Sequence, residues 1–305
     1  MLPTPEQLMA LKTVVEAGGV TAAARRLGVA KSVISKRLAD LEQIAGSELI
    51  RRSTRRAEPT DAGRAFAARA AAILTAMECA VEEAGGRNGA LRGPMRVAAP
   101  LTFGRMFLVE PIVAFARANP EIELSLDCDD ARADIAGGGY DLGIRVGRLN
   151  DSSLIARKIA PAASVVVASP DYLARHGAPK APADLTRHIC IGYANIPSAQ
   201  QWLFLPAGGG AEHSVTVHPR LNVNNGETIR EAVIAGYGIA VLPRFMVGDA
   251  LRDKRLVPVL PRFRPPGGDI YALWPHMREP SRKTRALVDM LVGEVPRLMR
   301  AAGVL

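Results

Sequence analysis

Residues 21–63 read TAAARRLGVAKSVISKRLADLEQIAGSELIRRSTRRAEPTDAG, and their pattern decides the N-terminal fold. Gly28-Val29-Ala30 is a tight turn between two helical segments, the arrangement of a helix-turn-helix. Thr21 is placed to cap the first helix, which runs through Leu27 and is closed by Gly28. The second spans residues 31–44, with Gly46 as its stop. Ile34, Leu38 and Leu41 fall at i, i+4 and i+7 and make one core face. At about 100° per residue, Ser32, Lys36 and Ala39 point the other way, with Lys31 and Ser35 on the flank and Arg37 beside them. An ordinary solvated helix mixes Glu and Lys on such a face. Small, hydroxylated and basic side chains instead let a helix sit close to base edges while charge reaches the phosphates.

The stretch LIRRSTRRAEP, residues 49–59, places two short extended runs around a polar tip and reads as a β-hairpin, with Pro59 suited to an edge strand. Arg51, Arg52, Arg55 and Arg56 on so small a hairpin repel one another unless an anion lies alongside. A wing along a DNA backbone supplies one. Upstream, Thr4-Pro5-Glu6-Gln7 is a capping box with proline at the first helical position; Leu8, Leu11 and Val15 follow, and Gly18-Gly19 ends that helix. Downstream, Thr60 and Asp61 open a helix through about Glu83, about 35 Å long at 1.5 Å per residue. Its stripe of Phe66, Ala70, Ile73, Leu74, Met77 and Val81 needs cover. Its own domain is one candidate. The favoured one is the same helix of a second subunit, with Phe66, Ile73 and Met77 in the seam. Residues 85–89, GGRNG, read as a flexible linker.

From Gly93 the pattern changes to alternating strands and helices, which argues an α/β architecture. Strands are expected at residues 95–99, 122–128, 140–145, 164–169, 238–242 and 269–274. Helices are expected at 104–119, from Asn225-Gly226 to Ala235, and from about Ser281 onward.

The 305-residue chain has a formal net charge of +9 and 48% hydrophobic residues, enough to bury sizeable cores. Between Arg25 and Arg69 stand eleven basic residues against five acidic ones, so most of the excess sits on the helix-turn-helix and hairpin. No apolar run approaches the ~18 residues of a membrane span. The N-terminal residues lack a basic region followed by an apolar core, so a cytoplasmic protein with no membrane partner is expected. Cys79, Cys128 and Cys190 are far apart and are expected to be free thiols.

In order along residues 8–66 come Glu16-Ala17-Gly18, Thr21-Ala22-Ala23-Ala24, Leu27-Gly28-Val29, Ile34-Ser35, Leu38-Ala39-Asp40-Leu41-Glu42 and Pro59-Thr60-Asp61-Ala62-Gly63. This series resembles the DNA-binding region of LysR-type transcriptional regulators. Two positions depart from the family's habit: Ala30 stands where a hydroxylated cap is usual, and Lys31 where glutamine is common. The C-terminal part resembles the same family's effector-binding domain through residues 141–147 (DLGIRVG), 166–173 (VVASPDYL) and 236–243 (GYGIAVLP). The resemblance implies a winged helix-turn-helix DNA-binding domain at 1–60, a linker helix and hinge at 61–93, and a periplasmic-binding-protein-like effector domain at 94–305. It also implies two α/β lobes, one from 94–162 and 270–305, the other from 163–269.

The DNA contacts expected are Lys31, Ser32, Ser35, Lys36, Arg37, Arg51, Arg52 and Arg55, on a double-stranded, interrupted palindromic operator. The cleft between the lobes is the expected effector site. Ligands gather at the carboxyl ends of strands, where Leu101, Thr102, Asn224 and Asn225 precede helices and Arg145 and Val146 end a strand. Two helix N-termini and an arginine suit a small anion such as a carboxylate. Helix capping by Thr102 and Asn225, and a structural ion pair at Arg145, are the alternatives. No catalytic residues, metal or cofactor are expected: the nucleotide-loop, zinc-protease and nucleophile-elbow motifs are absent, and His213 and His218 stand at an odd separation across a strand. A transport-type binding protein would not need the N-terminal reader. The partners expected are therefore DNA, a small-molecule effector, further copies in a dimer or tetramer, and RNA polymerase.

Overall fold

A computed structural model describes residues 2–52, 57–84, 90–131, 133–135, 139–149, 154–196, 200–275 and 280–305. The N-terminal unit is α1 (Pro5–Ala17), α2 (Val20–Arg26), α3 (Lys31–Ala45), the hairpin β1 (Ile50–Arg52) and β2 (Ala57–Pro59), and α4 (Asp61–Ala84). Thr4 and Gln7 close the capping box on α1 in both directions, and Gly18 ends the helix in the left-handed conformation. Thr21 corrects the reading of a side-chain cap: α2 begins at Val20, the residue at the cap is Gly19, and Thr21 lies inside the helix. Two glycines in succession let the chain turn sharply enough for the Gly19 carbonyl to take the first α2 bond, from the Ala23 amide.

Ile34, Leu38 and Leu41 are buried together with Leu8, Leu11, Ala23 and Leu49 in one core. The hairpin is fastened to that core twice. The Glu42 carboxylate of α3 accepts from the Leu49 and Ile50 amides, each at 2.9 Å. The Thr60 hydroxyl donates to the Glu48 carbonyl at 2.9 Å and accepts from the Gly63 amide at 2.9 Å, which caps α4. Gly63 is required there because a Cβ would overlap the Leu49 carbonyl oxygen. The stripe expected along α4 divides in two. Ala67, Ala70 and Leu74, with Phe66 against them, pack on the N-terminal core, whereas Ile73, Met77 and Val81 remain 49%, 46% and 65% exposed. Phe66 is half-buried against this core. The hairpin tip with Arg55 and Arg56, and the linker glycines 85–89, lie outside the described residues.

The α/β region continues with β3 (Gly93–Ala99), α5 (Leu101–Phe103), a π-turn (Gly104–Leu108), α6 (Val109–Ala118), β4 (Ile122–Cys128), β5 (Leu142–Gly147) and β6 (Leu154–Ala162). Then follow β7 (Ser164–Ala168), α7 (Pro170–His176), β8 (Ile191–Tyr193), β9 (Gln201–Pro206), β10 (His213–Thr216), β11 (Leu221–Val223), α8 (Gly226–Ile234) and β12 (Ala240–Pro243). The chain ends with α9 (Arg244–Arg252), β13 (Val257–Pro258), β14 (Phe263–Arg264), β15 (Gly268–Pro275) and α10 (Arg282–Ala301). The helical run after β3 starts earlier than its periodicity suggests and opens into a π-turn. Pro111 brings no amide to the Phe107 carbonyl, and the widened turn before it accommodates the missing bond.

Two lobes result. In the first, β3 pairs in parallel with β4 and β5, while β15 and β6 add antiparallel strands in the order β4-β3-β5-β15-β6. Met95, Leu142, Phe103, Leu287 and Leu291 are in its core. In the second, β7 lies between β12 and β13, and a single bridge from Cys190 to Ile239 joins these to the parallel pair β8 and β11. The chain leaves the first lobe between β6 and β7 and returns with β15, so two adjacent crossings connect the lobes.

Candidate nucleic-acid interface and effector cleft

Burial of Ile34, Leu38 and Leu41 turns the opposite face of α3 outward. Lys31, Ser32, Lys36 and Ala39 are exposed, and Ser35 and Arg37 are half-buried on the flank. Ala30 occupies the cap of α3 with no side-chain hydrogen bond, so the first amides of the helix are offered to an outside acceptor. Arg51 is exposed on β1, paired across the hairpin with Glu58. Arg52 pairs with Ala57. An exposed small and basic helix face beside a basic hairpin is a surface built for an extended polyanion.

The carboxyl ends of the strands meet where the lobes face each other. Leu101 and Thr102 open α5 directly after β3, and Asn225 caps α8 through its Oδ1, which accepts from the Thr228 amide at 3.0 Å. Asn225 Nδ2 donates across the seam to Asp130 at 2.8 Å, and the Leu101 amide donates to the same carboxylate at 3.0 Å. Asn195 Nδ2 bridges the Asp130 and Asn224 carbonyls, each at 2.8 Å. Leu101, Asn224 and Asn225 are therefore brought together, around an acidic residue that the sequence analysis did not single out. The same strand-end rule that selected Thr102 covers Asp130, which follows β4 by two residues.

The Thr102 side chain is 4% exposed, and its hydroxyl has no hydrogen-bond partner. A buried unpaired hydroxyl costs stability, so Thr102 is not explained as a simple cap. Arg145 and Val146 lie inside β5, opposite Tyr271 and Ile270 of β15, and not at the strand's end as their sequence position suggests. Strand β5 continues to Gly147, which pairs with Asp269. Tyr193, beside this seam, has its phenol pushed up to about 12, first by burial and then by the Asp130 charge, so it remains a protonated donor. Among the described residues no group of His, Cys, Asp and Glu is placed to hold a metal.

The N-terminal unit also touches the first lobe. Glu16 of α1, only 5% exposed, has Arg26 at 3.2 Å and Arg96 of β3 at 4.0 Å. Arg96 in turn pairs with Asp127 of β4 at 3.0 Å and lies over the Tyr140 ring.

Residues 5–64 match the family model described as bacterial regulatory helix-turn-helix protein, lysR family, and residues 88–296 match the LysR substrate binding domain. The chain is 34% identical over 284 residues to the HTH-type transcriptional regulator PtxR of Pseudomonas aeruginosa, covering 93% of this chain and 90% of that protein. It is 32% identical over 292 residues to the HTH-type transcriptional regulator DmlR of Escherichia coli, covering 95% and 94%. The full-length structure of the Vibrio cholerae virulence activator AphB superposes with a TM-score of 0.60 at 27% identity, covering 96% of this chain and 99% of that one.

Lys36 on α3 and Arg51 on β1 are both exposed cations. Lys36→Ala and Arg51→Ala are each expected to weaken binding to all duplex DNA alike and to lower the slope of log affinity against log salt by about 0.9. Titrations at several salt concentrations on two unrelated duplexes measure both quantities. Unchanged affinity and slope in both variants would remove this face from the interface.

Proposed function

The chain belongs to the LysR family of bacterial transcriptional regulators, and from that premise we propose a residue-level account of how it reads DNA and senses an effector. It is a DNA-binding transcriptional regulator with an effector-binding domain. The proposal assigns base-edge contacts to Lys31, Ser32 and Ser35 and phosphate contacts to Lys36, Arg37, Arg51, Arg52 and Arg55. The observation that carries it is the division of α3, where burial of Ile34, Leu38 and Leu41 turns Lys31, Ser32, Lys36 and Ala39 to solvent, with the exposed Val33 beside them.

The domain limits proposed are 1–60, 61–93 and 94–305, with the lobes exchanging at 162–163 and 269–270. The limits at 60–61 and 162–163 fall between elements, whereas 93–94 and 269–270 fall one and two residues inside β3 and β15. The exposed run of Ile73, Met77 and Val81 on α4 supports a dimer seam between two linker helices. Two α3 helices on a common axis then suit an interrupted palindrome, with half-sites about one helical turn apart. Met77→Asp is expected to leave the subunit folded, because the site is exposed, and to make the full chain monomeric at micromolar concentration in sedimentation. A dimer unaffected by that charge would move the seam off α4.

The effector proposed is a small carboxylate held at the lobe seam through Leu101, Thr102, Asn224, Asn225, Arg145 and Val146. It acts by favouring one lobe arrangement, with a coupling to DNA of ~1–3 kcal/mol typical of such switches. No helix among the described residues is long and apolar enough to cross a membrane, which agrees with a proposed cytoplasmic location. The sensor is proposed to turn nothing over and to need no cofactor; RNA polymerase is proposed as a contact on the promoter. The test is a thermal-shift screen of small carboxylic acids on the full chain, followed by operator titrations with each acid that raises the Tm. Wild type is expected to change operator affinity about 5- to 150-fold. Thr102→Val is expected to lose that response while its affinity without the acid stays the same. Consumption of the acid by the purified protein, or a full response in Thr102→Val, would contradict the reading.

A further inference from the structure

The seam between the lobes already holds a carboxylate, and it is the chain's own. Asp130 Oδ1 accepts from the Leu101 amide of the first lobe at 3.0 Å. Its Oδ2 accepts from Asn225 Nδ2 of the second lobe at 2.8 Å and from the Gly226 amide at 3.4 Å. Its backbone carbonyl accepts from Asn195 Nδ2 at 2.8 Å, so the second lobe grips the residue at both ends. The Leu101 and Gly226 amides are among those that a helix leaves unpaired at its start, where anions settle.

We propose that Asp130 is the resident anion of the cleft: it closes the lobes when no effector is bound, and a carboxylate effector must take these donors from it. The inference rests on the effector reading above and adds its regulation. Three observations carry it. The donors that suit an effector anion are occupied by one side chain that joins both lobes. A second carboxylate at the same amides would face Asp130 at close range, and like charges so placed disfavour each other, so occupation by the effector and by Asp130 exclude one another. Among the described residues an ion pair also crosses the seam, Arg105 to Glu227 at 2.7 Å, but its side chains are 67% and 39% exposed and it contributes little in water, so Asp130 supplies the polar part of the closure beside the apolar contact of Phe245 with Phe103 and Phe107. The buried, unpaired Thr102 hydroxyl stands next to Leu101 as a donor that Asp130 does not use. An effector with a second acceptor gains that bond and so displaces the internal carboxylate.

Hydrogen–deuterium exchange on the full chain reads the latch directly, through peptides spanning residues 98–104 and 222–229. In Asp130→Ala both peptides are expected to exchange about tenfold faster or more, since a hydrogen bond to a charged group is worth at least that much. Acetate, as a free carboxylate of the right size, is expected to restore protection to both peptides in Asp130→Ala and to leave wild type unchanged. Asp130→Asn keeps the volume and guards against misfolding of the alanine variant. Its NH2 meets the amide of Asn225 donor to donor while its remaining oxygen keeps the Leu101 amide, so the 222–229 peptide opens and acetate finds no space to rescue it. Unchanged exchange in both variants, opening of one lobe's peptide alone in Asp130→Ala, or no acetate rescue in Asp130→Ala would overturn the latch. Operator affinity of Asp130→Ala reads the coupling separately: both peptides opened with operator affinity unaltered supports the latch and counts against the effector reading.

Discussion

Everything the molecule presents to DNA depends on one packing constraint, the burial of the Ile34, Leu38 and Leu41 edge of α3. Each such side chain contributes about 1.5–3 kcal/mol when taken out of water, far more than any surface ion pair on the same helix. That energy fixes the rotation of α3 about its axis, and the rotation decides that Ser32, Lys36 and Ala39 face outward. The same helix then places the hairpin, because Glu42 on its far flank holds the Leu49 and Ile50 amides. The hairpin places α4 in turn, through Thr60 and the close approach of Gly63 to Leu49. One apolar edge thus propagates through a carboxylate, a hydroxyl and a glycine to the helix that exposes Ile73, Met77 and Val81.

The effector domain is built differently, from two lobes connected by two crossings. Part of its seam is polar, held by amides, asparagines and one carboxylate, and part is apolar, where Phe245 packs on Phe103 and Phe107. The Asp130 loop follows β4, and three residues earlier Asp127 holds Arg96, which neighbours Glu16 of the DNA-reading unit. A change at the seam and a change at the interdomain ion cluster therefore share one short stretch of chain. Contiguity of this kind gives a physical route for coupling, and only the free energy exchanged between the two ends would establish it.

Much of this was legible in the sequence wherever local chemistry decides structure. The Thr4 to Gln7 box, the Gly18 and Gly46 stops, the α3 core face and the Asn225 cap all depend on residues within a turn of one another. Thr21 was misread because the adjacent Gly19, free of a Cβ, allows a tighter entry than a capping side chain requires. The α4 stripe reads as one surface in the sequence, yet one half packs on the N-terminal core and the other is exposed; periodicity reports which positions are apolar and not what covers them. Asp130 was missed for the same reason at longer range. Its partners lie 29 and 95 residues away, and the pairing exists only once both lobes are folded.

The central claim is that α3 and the hairpin read duplex DNA as a symmetric pair. Selection from random double-stranded DNA by the full chain, followed by sequencing of the bound fraction, tests it most directly. The account predicts one enriched motif, an inverted repeat whose half-sites are centred about one helical turn apart, or a multiple of it. An enriched single half-site, direct repeats, or no enrichment over the input would contradict it.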